Sequence, residues 1–314
     1  MVSVIVLAVS VTCAQTKKAV QVDPNKYAVI INGPGGEAAY TKQFEEWTGQ
    51  LSSVLSDRYG FDAKHITVPQ ATAEEVKRTF ATLKTQLDAD NVLFLFFIGH
   101  GSFDGKESKF NLTGPDLSAT EYNALLSALP TRRVVVFNMS SASGEFIKSL
   151  AAKGRIVVTA TRNGQETNAT RFTGFFISAL QATDADTDQD GHTSVLEAFV
   201  YANRLTSEFY KRAGRLAAEH ALFDDNGDGV GHEKIEAGEG LLARATYLDS
   251  LSVDEAAATA ATGRLLKERT RLEGEIEQLI ARKSNMKEAE YEASLERLFI
   301  ELAKVNRSIK QAGS

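Results

Sequence analysis

The chain has 314 residues, 43% hydrophobic and 24% charged, enough for one sizeable α/β domain and an appendage. Its net charge of −6 gives no electrostatic case for binding nucleic acid or an anionic membrane surface. The single cysteine, Cys13, excludes an internal disulfide and any metal cluster built on paired cysteines.

Residues 1–14 form an apolar run ending in small residues, the pattern of a secretory h-region and its cleavage site, here without the basic residues that ordinarily precede one. The expectation is a signal peptide cleaved after Ala14 and export to the periplasm or the medium. A buried strand and a lipid anchor on Cys13 are the alternatives. The run is too short to span a bilayer, so no transmembrane helix is expected. Residues 15–26 are polar and read as a linker.

From residue 27 strands and helices alternate. A β-branched strand at 27–31 runs into Asn32-Gly33-Pro34-Gly35-Gly36. Residues 39–59 place Phe44, Trp47, Leu51, Val54 and Leu55 on one helical face, and Gly60 stops the helix. A short strand at 65–68 ends at Pro69. Thr72 and Glu75 form a capping box that opens a helix running to Leu87. An unbroken apolar strand at 91–98 follows, then a helix at 120–129, a strand at 133–137, a short helix at 146–152 and a strand at 155–160. This alternation argues for a parallel sheet covered by helices on both faces.

Two strand ends carry the candidate chemistry. The strand at 91–98 delivers Gly99-His100-Gly101-Ser102, and the strand at 133–137 delivers Asn138-Met139-Ser140-Ser141-Ala142-Ser143-Gly144. Parallel strands end at one sheet edge, where ligands bind. A histidine and a nucleophile from neighbouring strands is the arrangement of covalent hydrolases. Close approach of a ligand explains the two glycines beside His100, and a tight turn around a satisfied histidine explains them equally. His65, His220 and His232 read as structural or solvated.

These residues resemble the legumain and caspase-like superfamily of cysteine peptidases, in which a His-Gly pair after one strand works with a cysteine in a Cys-x-Ser-Gly turn after the next. The resemblance runs from about residue 27 to residue 229 and extends to the order of elements. It implies a caspase-like α/β fold, a mostly parallel sheet sandwiched by helices. It puts His100 and Gly101 at the His-Gly position and Ser141 where the family carries its cysteine. Gly35 stands where legumains have an asparagine. The resemblance also implies that the loop at 161–166 helps line a substrate pocket, with Arg162 and Glu166 as candidate readers of a charged group. They read equally well as ordinary loop residues.

The missing cysteine leaves two readings open. One is a catalytically degenerate module that binds a peptide or protein ligand. The other is a hydrolase using Ser141, or its neighbour Ser140, with His100. A serine hydroxyl needs a stronger and better oriented base than a thiol does. The nearest acid in sequence, Asp104, is not marked as that base's support, so the degenerate reading is the stronger one.

Residues 186–197 match a twelve-position calcium loop. Asp186, Asp188 and Asp190 fill positions one, three and five, Gly191 six, His192 seven through its carbonyl, Ser194 nine and Glu197 twelve. Alternating oxygen ligands wrap a hard cation, and the last glutamate binds through both oxygens. Asp224, Asn226 and Asp228 begin a second such loop, but its twelfth position is Ile235. Glu233 or Glu236 would have to close it. Calcium at either site is expected to stabilise the fold and to take no part in chemistry.

From residue 251 the chain becomes rich in Ala, Glu, Arg and Lys. Leu265, Leu272, Ile276 and Leu279 recur at heptad spacing, as do Tyr291, Leu295, Leu298, Leu302, Val305 and Ile309. The phase breaks near residues 284–287. The expectation is a coiled-coil helical hairpin over 251–314; one long dimerising helix with a stutter is the alternative. Either form makes the tail a packing or self-association module, and a third reading gives this structural role the leading part.

Overall fold

Seven consecutive apolar residues, Val92–Ile98, have no polar face to offer water, so the strand they form must be covered on both sides. The computed structural model describes residues 20, 22–187, 192–235, 239–249 and 286–312, together with 264–265, 268–269, 271–272, 275–276 and 279. The apolar run at 1–14, Asp188, Asp190 and Gly191 of the first acidic loop, Glu236, and the phase break at 284–285 lie outside the described residues.

The strands in chain order are β1 (Lys26–Asn32), β2 (Ile66–Thr67), β3 (Val92–Ile98), β4 (Gly101–Phe103), β5 (Ser108–Phe110), β6 (Leu117–Ser118), β7 (Arg133–Asn138), β8 (Arg155–Thr159) and β9 (Leu222–Asp224). Six of them form a central sheet in the order β2-β1-β3-β7-β8-β9. All its pairings are parallel except β8 with β9. The protein is thus a mixed α/β structure with a mostly parallel sheet, and β3 lies inside it as its composition requires.

The helices are α1 (Ala38–Asp57), α2 (Ala73–Gln86), α3 (Ala119–Ser127), α4 (Phe146–Leu150), α5 (Phe172–Gln181), α6 (Val195–Arg212), α7 (Leu241–Ala245) and α8 (Glu288–Ala312). Period-two alternation divides the sheet residues between two cores. Ile30, Phe94, Phe96, Phe137 and Val158 pack on Leu51 of α1, Phe176 of α5 and Phe199 of α6. Ile31, Leu95, Phe97, Val136 and Val157 pack on Phe80 of α2, Tyr122 of α3 and Phe146 of α4. Aromatic rings carry both layers: Phe137 meets Phe176 at 4.4 Å between ring centres, and Phe97 meets Tyr122 edge-on at 4.8 Å.

Three local departures from the sequence reading have physical causes. The strand at 65–68 shrinks to Ile66–Thr67 because Asp62 caps a 3-10 turn at Ala63–His65, accepting from the Lys64 amide at 2.9 Å. Lys26 belongs to β1 and not to the linker; its buried ammonium donates to the carbonyls of Tyr59 and Leu248. Residues 101–118 hold a three-stranded antiparallel sheet, β4-β5-β6, where only a connection was expected.

In the tail, Leu272, Ile276 and Leu298 form a buried cluster against which Leu279, Leu295, Leu302 and Val305 pack. The two runs of heptad residues therefore meet each other. Arg269 hydrogen-bonds the Tyr247 hydroxyl and lies over that ring, tying the tail to the segment after α7. Among the described residues no helix is long and apolar enough to cross a membrane.

Candidate functional site

The register sets Phe97 of β3 opposite Asn138 of β7, so the turns after these strands leave the sheet side by side. Gly101 packs directly on the second turn. Its amide donates to Ser141 Oγ at 3.2 Å, and the Ser141 hydroxyl is in turn placed to donate to the Gly101 carbonyl at 3.3 Å. A Cβ at position 101 would stand 2.3 Å from the Ser141 carbonyl oxygen, closer than any side chain tolerates. The two motifs singled out in the sequence are therefore brought together, but through the backbone of Gly101.

The imidazole takes no part in that contact. His100 is half-buried, and its ring meets the edges or faces of Tyr40 and Phe44, each at 5.1 Å between centres. Among the described residues the His100 ring has no hydrogen-bonding partner, Ser141 included, although the His100 carbonyl accepts from the Asn111 amide at 3.0 Å. Asp104 does not orient it. That carboxylate accepts from the amides of Glu107 and Lys106 and pairs with Lys109 at 3.3 Å, bonds that hold its pKa below the ordinary aspartate value. Ser141 is 1% exposed. Ser140 is buried too and donates to Asn138 Oδ1 at 2.6 Å. Among the described residues neither hydroxyl has a base to receive its proton.

The turn is held from several sides. Ala142 adopts the left-handed conformation, φ +52°. Its amide donates to the Glu166 carbonyl at 2.8 Å and its carbonyl accepts from Ser108 Oγ at 2.6 Å. Thr170 Oγ1 donates to the Met139 carbonyl at 2.6 Å, and the Gly144 amide donates to Thr161 Oγ1 at 3.0 Å. A Cβ on Gly144 would lie 2.3 Å from the backbone of Arg162 and Asn163, so the loop at 161–166 is seated against the Ser141 turn.

Within that loop Glu166 is an anchor. Its Oε2 accepts from the amides of Arg162 at 2.8 Å and His220 at 3.1 Å, and its Oε1 lies 2.6 Å from His220 Nδ1. Arg162 reaches Glu166 at 3.5 Å and Glu233 at 3.8 Å while its guanidinium stays half exposed. His220, read as bland from sequence, is thus the acid-paired histidine of this edge. Its neighbour Glu219 accepts from the amides of Arg171 and Phe172 at the start of α5 and from the Tyr210 hydroxyl. Burial raises the Glu219 pKa above that of an ordinary glutamate. The sequence offered only an acid and a histidine ahead of a short apolar run as a signal for either residue.

In the first acidic loop, Glu197 turns both oxygens inward. Oε1 accepts from the amide and hydroxyl of Thr187 at 2.8 and 3.0 Å, and Oε2 accepts from the amide and hydroxyl of Ser194 at 2.9 and 2.8 Å. Ser194 and Glu197 thereby form the capping box that opens α6. The same glutamate fills the twelfth position of the loop, where the sequence spacing expects a bidentate calcium ligand. The His192 ring pairs with Asp249, Nδ1 to Oδ2 at 3.0 Å. Backbone bonds from Leu248 to Thr193 and from Val195 to Thr246 pin the end of the loop to the segment after α7.

The second loop is shaped by its own side chains. Asp224 accepts from the amides of Gly227 and Gly229, Asn226 Oδ1 from the Asp228 amide, and Asp228 from the Val230 amide. Glu233, expected to close this loop, points its carboxylate at Arg162 instead. Glu239 stands at the loop in its place. It is 6% exposed, and its Oε1 accepts from Asn226 Nδ2 at 2.6 Å and lies 3.4 Å from His232 Nε2. Its Oε2 is buried without a partner among the described residues. Burial first, then the adjoining Asp225 and Asp224, push its pKa well above that of an ordinary glutamate. Asn226 links the loop to Glu239, its side-chain nitrogen donating to both Asp228 Oδ2 and Glu239 Oε1. No three carboxylate or imidazole groups among the described residues already converge as a metal cluster.

No family model matches the chain, and no curated protein matches it. Among solved structures it is similar to a protein of Geobacter sulfurreducens, at 16% identity and a TM-score of 0.40 over 58% of this chain and 89% of that one. A likeness this slight carries no argument about fold or function.

Proposed function

We propose that this chain is an exported, catalytically degenerate member of the legumain and caspase-like fold that works as a peptide- or protein-binding module. The observation that carries the reading is the state of the two motif residues. The Ser141 hydroxyl is sealed into a backbone contact with Gly101, and the His100 ring rests in an aromatic bracket with no acid behind it among the described residues. A serine nucleophile needs an oriented base within hydrogen-bond reach. The loop at 161–166 adjoining the turn supports a recognition role, because it presents a half-exposed Arg162 beside Glu166 and Glu233. Calcium fits as a structural ion. Asp186, Asp188, Asp190, the His192 carbonyl, Ser194 and Glu197 would hold one, and Asp224, Asn226, Asp228 and Glu239 a second. Self-association through the C-terminal helices would add valency to the module.

The test is incubation of the full chain, in calcium and in chelator, with a mixed peptide library read by mass spectrometry for both retention and cleavage. The expected result is retention of a subset without cleavage. Cleavage by the parent that vanishes in both Ser141→Ala and His100→Ala would establish a serine hydrolase and overturn the reading.

A further inference from the structure

The amino ends of β7 and β8 lie at the sheet edge opposite His100, and a cavity of about 410 Å3 opens there. Its apolar wall is Leu126, Leu129 and Val134; its charged groups are Arg132, Lys153 and Arg155. No aspartate or glutamate lines it. None of the three cations forms an ion pair with any described residue, in a chain whose acids outnumber its lysines and arginines.

Arg155 is the telling member. It is only 7% exposed. Its Nη1 donates to Asn123 Oδ1 at 2.8 Å and to the Leu150 carbonyl at 2.6 Å, and its other donors meet no acceptor among the described residues. Burial alone draws its pKa down, with no carboxylate near enough to offset that. Buried charges are ordinarily paired, since an unpaired one is costly to keep out of water. The backbone is built to hold the cluster together. Gly154 sits at φ +80°, and a Cβ there would stand 2.4 Å from the Arg132 carbonyl oxygen. The Val134 amide donates to the Gly154 carbonyl at 3.3 Å across the same gap. Nearby Arg133 is spent elsewhere, on the Asp90 carbonyl.

We infer that this cavity binds a small oxyanion, a carboxylate or phosphate head on a short apolar body, with Arg155 as the buried anchor and Arg132 and Lys153 as the rim. The volume lies in the range of small-molecule sites, and a guanidinium offers the forked donors that both head groups accept. The apolar wall favours an aryl or branched alkyl body over a bare ion. The site is separate from the Ser141 edge, so neither proposal depends on the other.

Isothermal titration of the full chain with phenyl phosphate, benzoate and benzyl alcohol tests this. Saturable binding of at least one of the two anions is expected, with none of the neutral alcohol. The double variant Arg132→Ser with Lys153→Ser changes only exposed side chains. It should weaken that binding by about tenfold or more, and added salt should weaken the parent's binding. Arg155→Met, if it folds, should abolish binding. Absence of saturation by both anions up to about 10 mM, or affinity unchanged in the double variant, overturns the inference.

Discussion

Substituting Gly101 by alanine probes the contact on which the candidate site is built. The new Cβ would meet the Ser141 carbonyl oxygen at 2.3 Å, and the Lys109 carbonyl and Ser140 Oγ at 3.0 Å. Relief requires the Ser141 turn to retreat by nearly 1 Å. That turn is fixed by the Ala142 bonds to Glu166 and Ser108 and by Thr170 on the Met139 carbonyl. Overpacking of this kind costs about 1–3 kcal/mol. Loss of the two Ser141–Gly101 hydrogen bonds adds roughly 1 kcal/mol each. The sum is about 3–5 kcal/mol. Gly49→Ala is the control, an exposed mid-helix site with nothing within 4 Å, and should gain about 0.5–1 kcal/mol. Urea unfolding followed by circular dichroism reads both. A Gly101→Ala midpoint within about 1 kcal/mol of the parent would mean that the turn has room, and that the close approach of the two motifs is not a property of the protein.

Calcium should raise the thermal midpoint over chelator, by the equivalent of about 2.7 kcal/mol at a hundredfold excess over Kd for each site. Glu197→Gln should lose the first loop's share of that gain, about half where both sites fill, while leaving the chelated protein folded, and an equal calcium shift in parent and variant would rule out Glu197 as a ligand. Terbium luminescence separates the candidates for the second loop: Glu239→Gln should remove a site and Glu233→Gln should not, with the reverse pattern restoring Glu233 as the closing residue. Burial holds Lys26 down at about 8, so folding favours its neutral amine. Its contribution to stability is then least favourable below pH 8 and improves as pH rises toward the ordinary lysine value of about 10.4, by at most roughly 3 kcal/mol. The stability difference between Lys26→Met and the parent should change with pH across that window; a constant difference would show that Lys26 titrates normally.

The sheet was legible because its strands are extreme. A run such as Val92–Ile98 has one physical solution, and helices such as α1 and α2 between the strands carry legible apolar faces, α2 with Thr72 as its cap. The antiparallel β4–β6 sheet was not legible, since strands of two or three residues leave no period to read. His100, Gly101 and Ser141 could be found from their turns, yet only tertiary register decides that Gly101 meets Ser141 through its backbone while the imidazole faces Tyr40 and Phe44. Glu239 lay beyond the reach of loop spacing because it arrives from outside the twelve positions, and the nearer Glu233 is drawn off by Arg162. The pairing of His220 with Glu166 joins residues 54 apart in the chain, a distance over which the sequence holds no local signal.

The most direct measurement is the intact mass of the full chain after incubation with a fluorophosphonate, in calcium and in chelator. Such a reagent modifies a serine only when a neighbouring base activates it. The account predicts no adduct, with Ser141 unmodified in the peptide map under both conditions. A stoichiometric adduct on Ser141 that disappears in His100→Ala would contradict it and establish a working serine nucleophile.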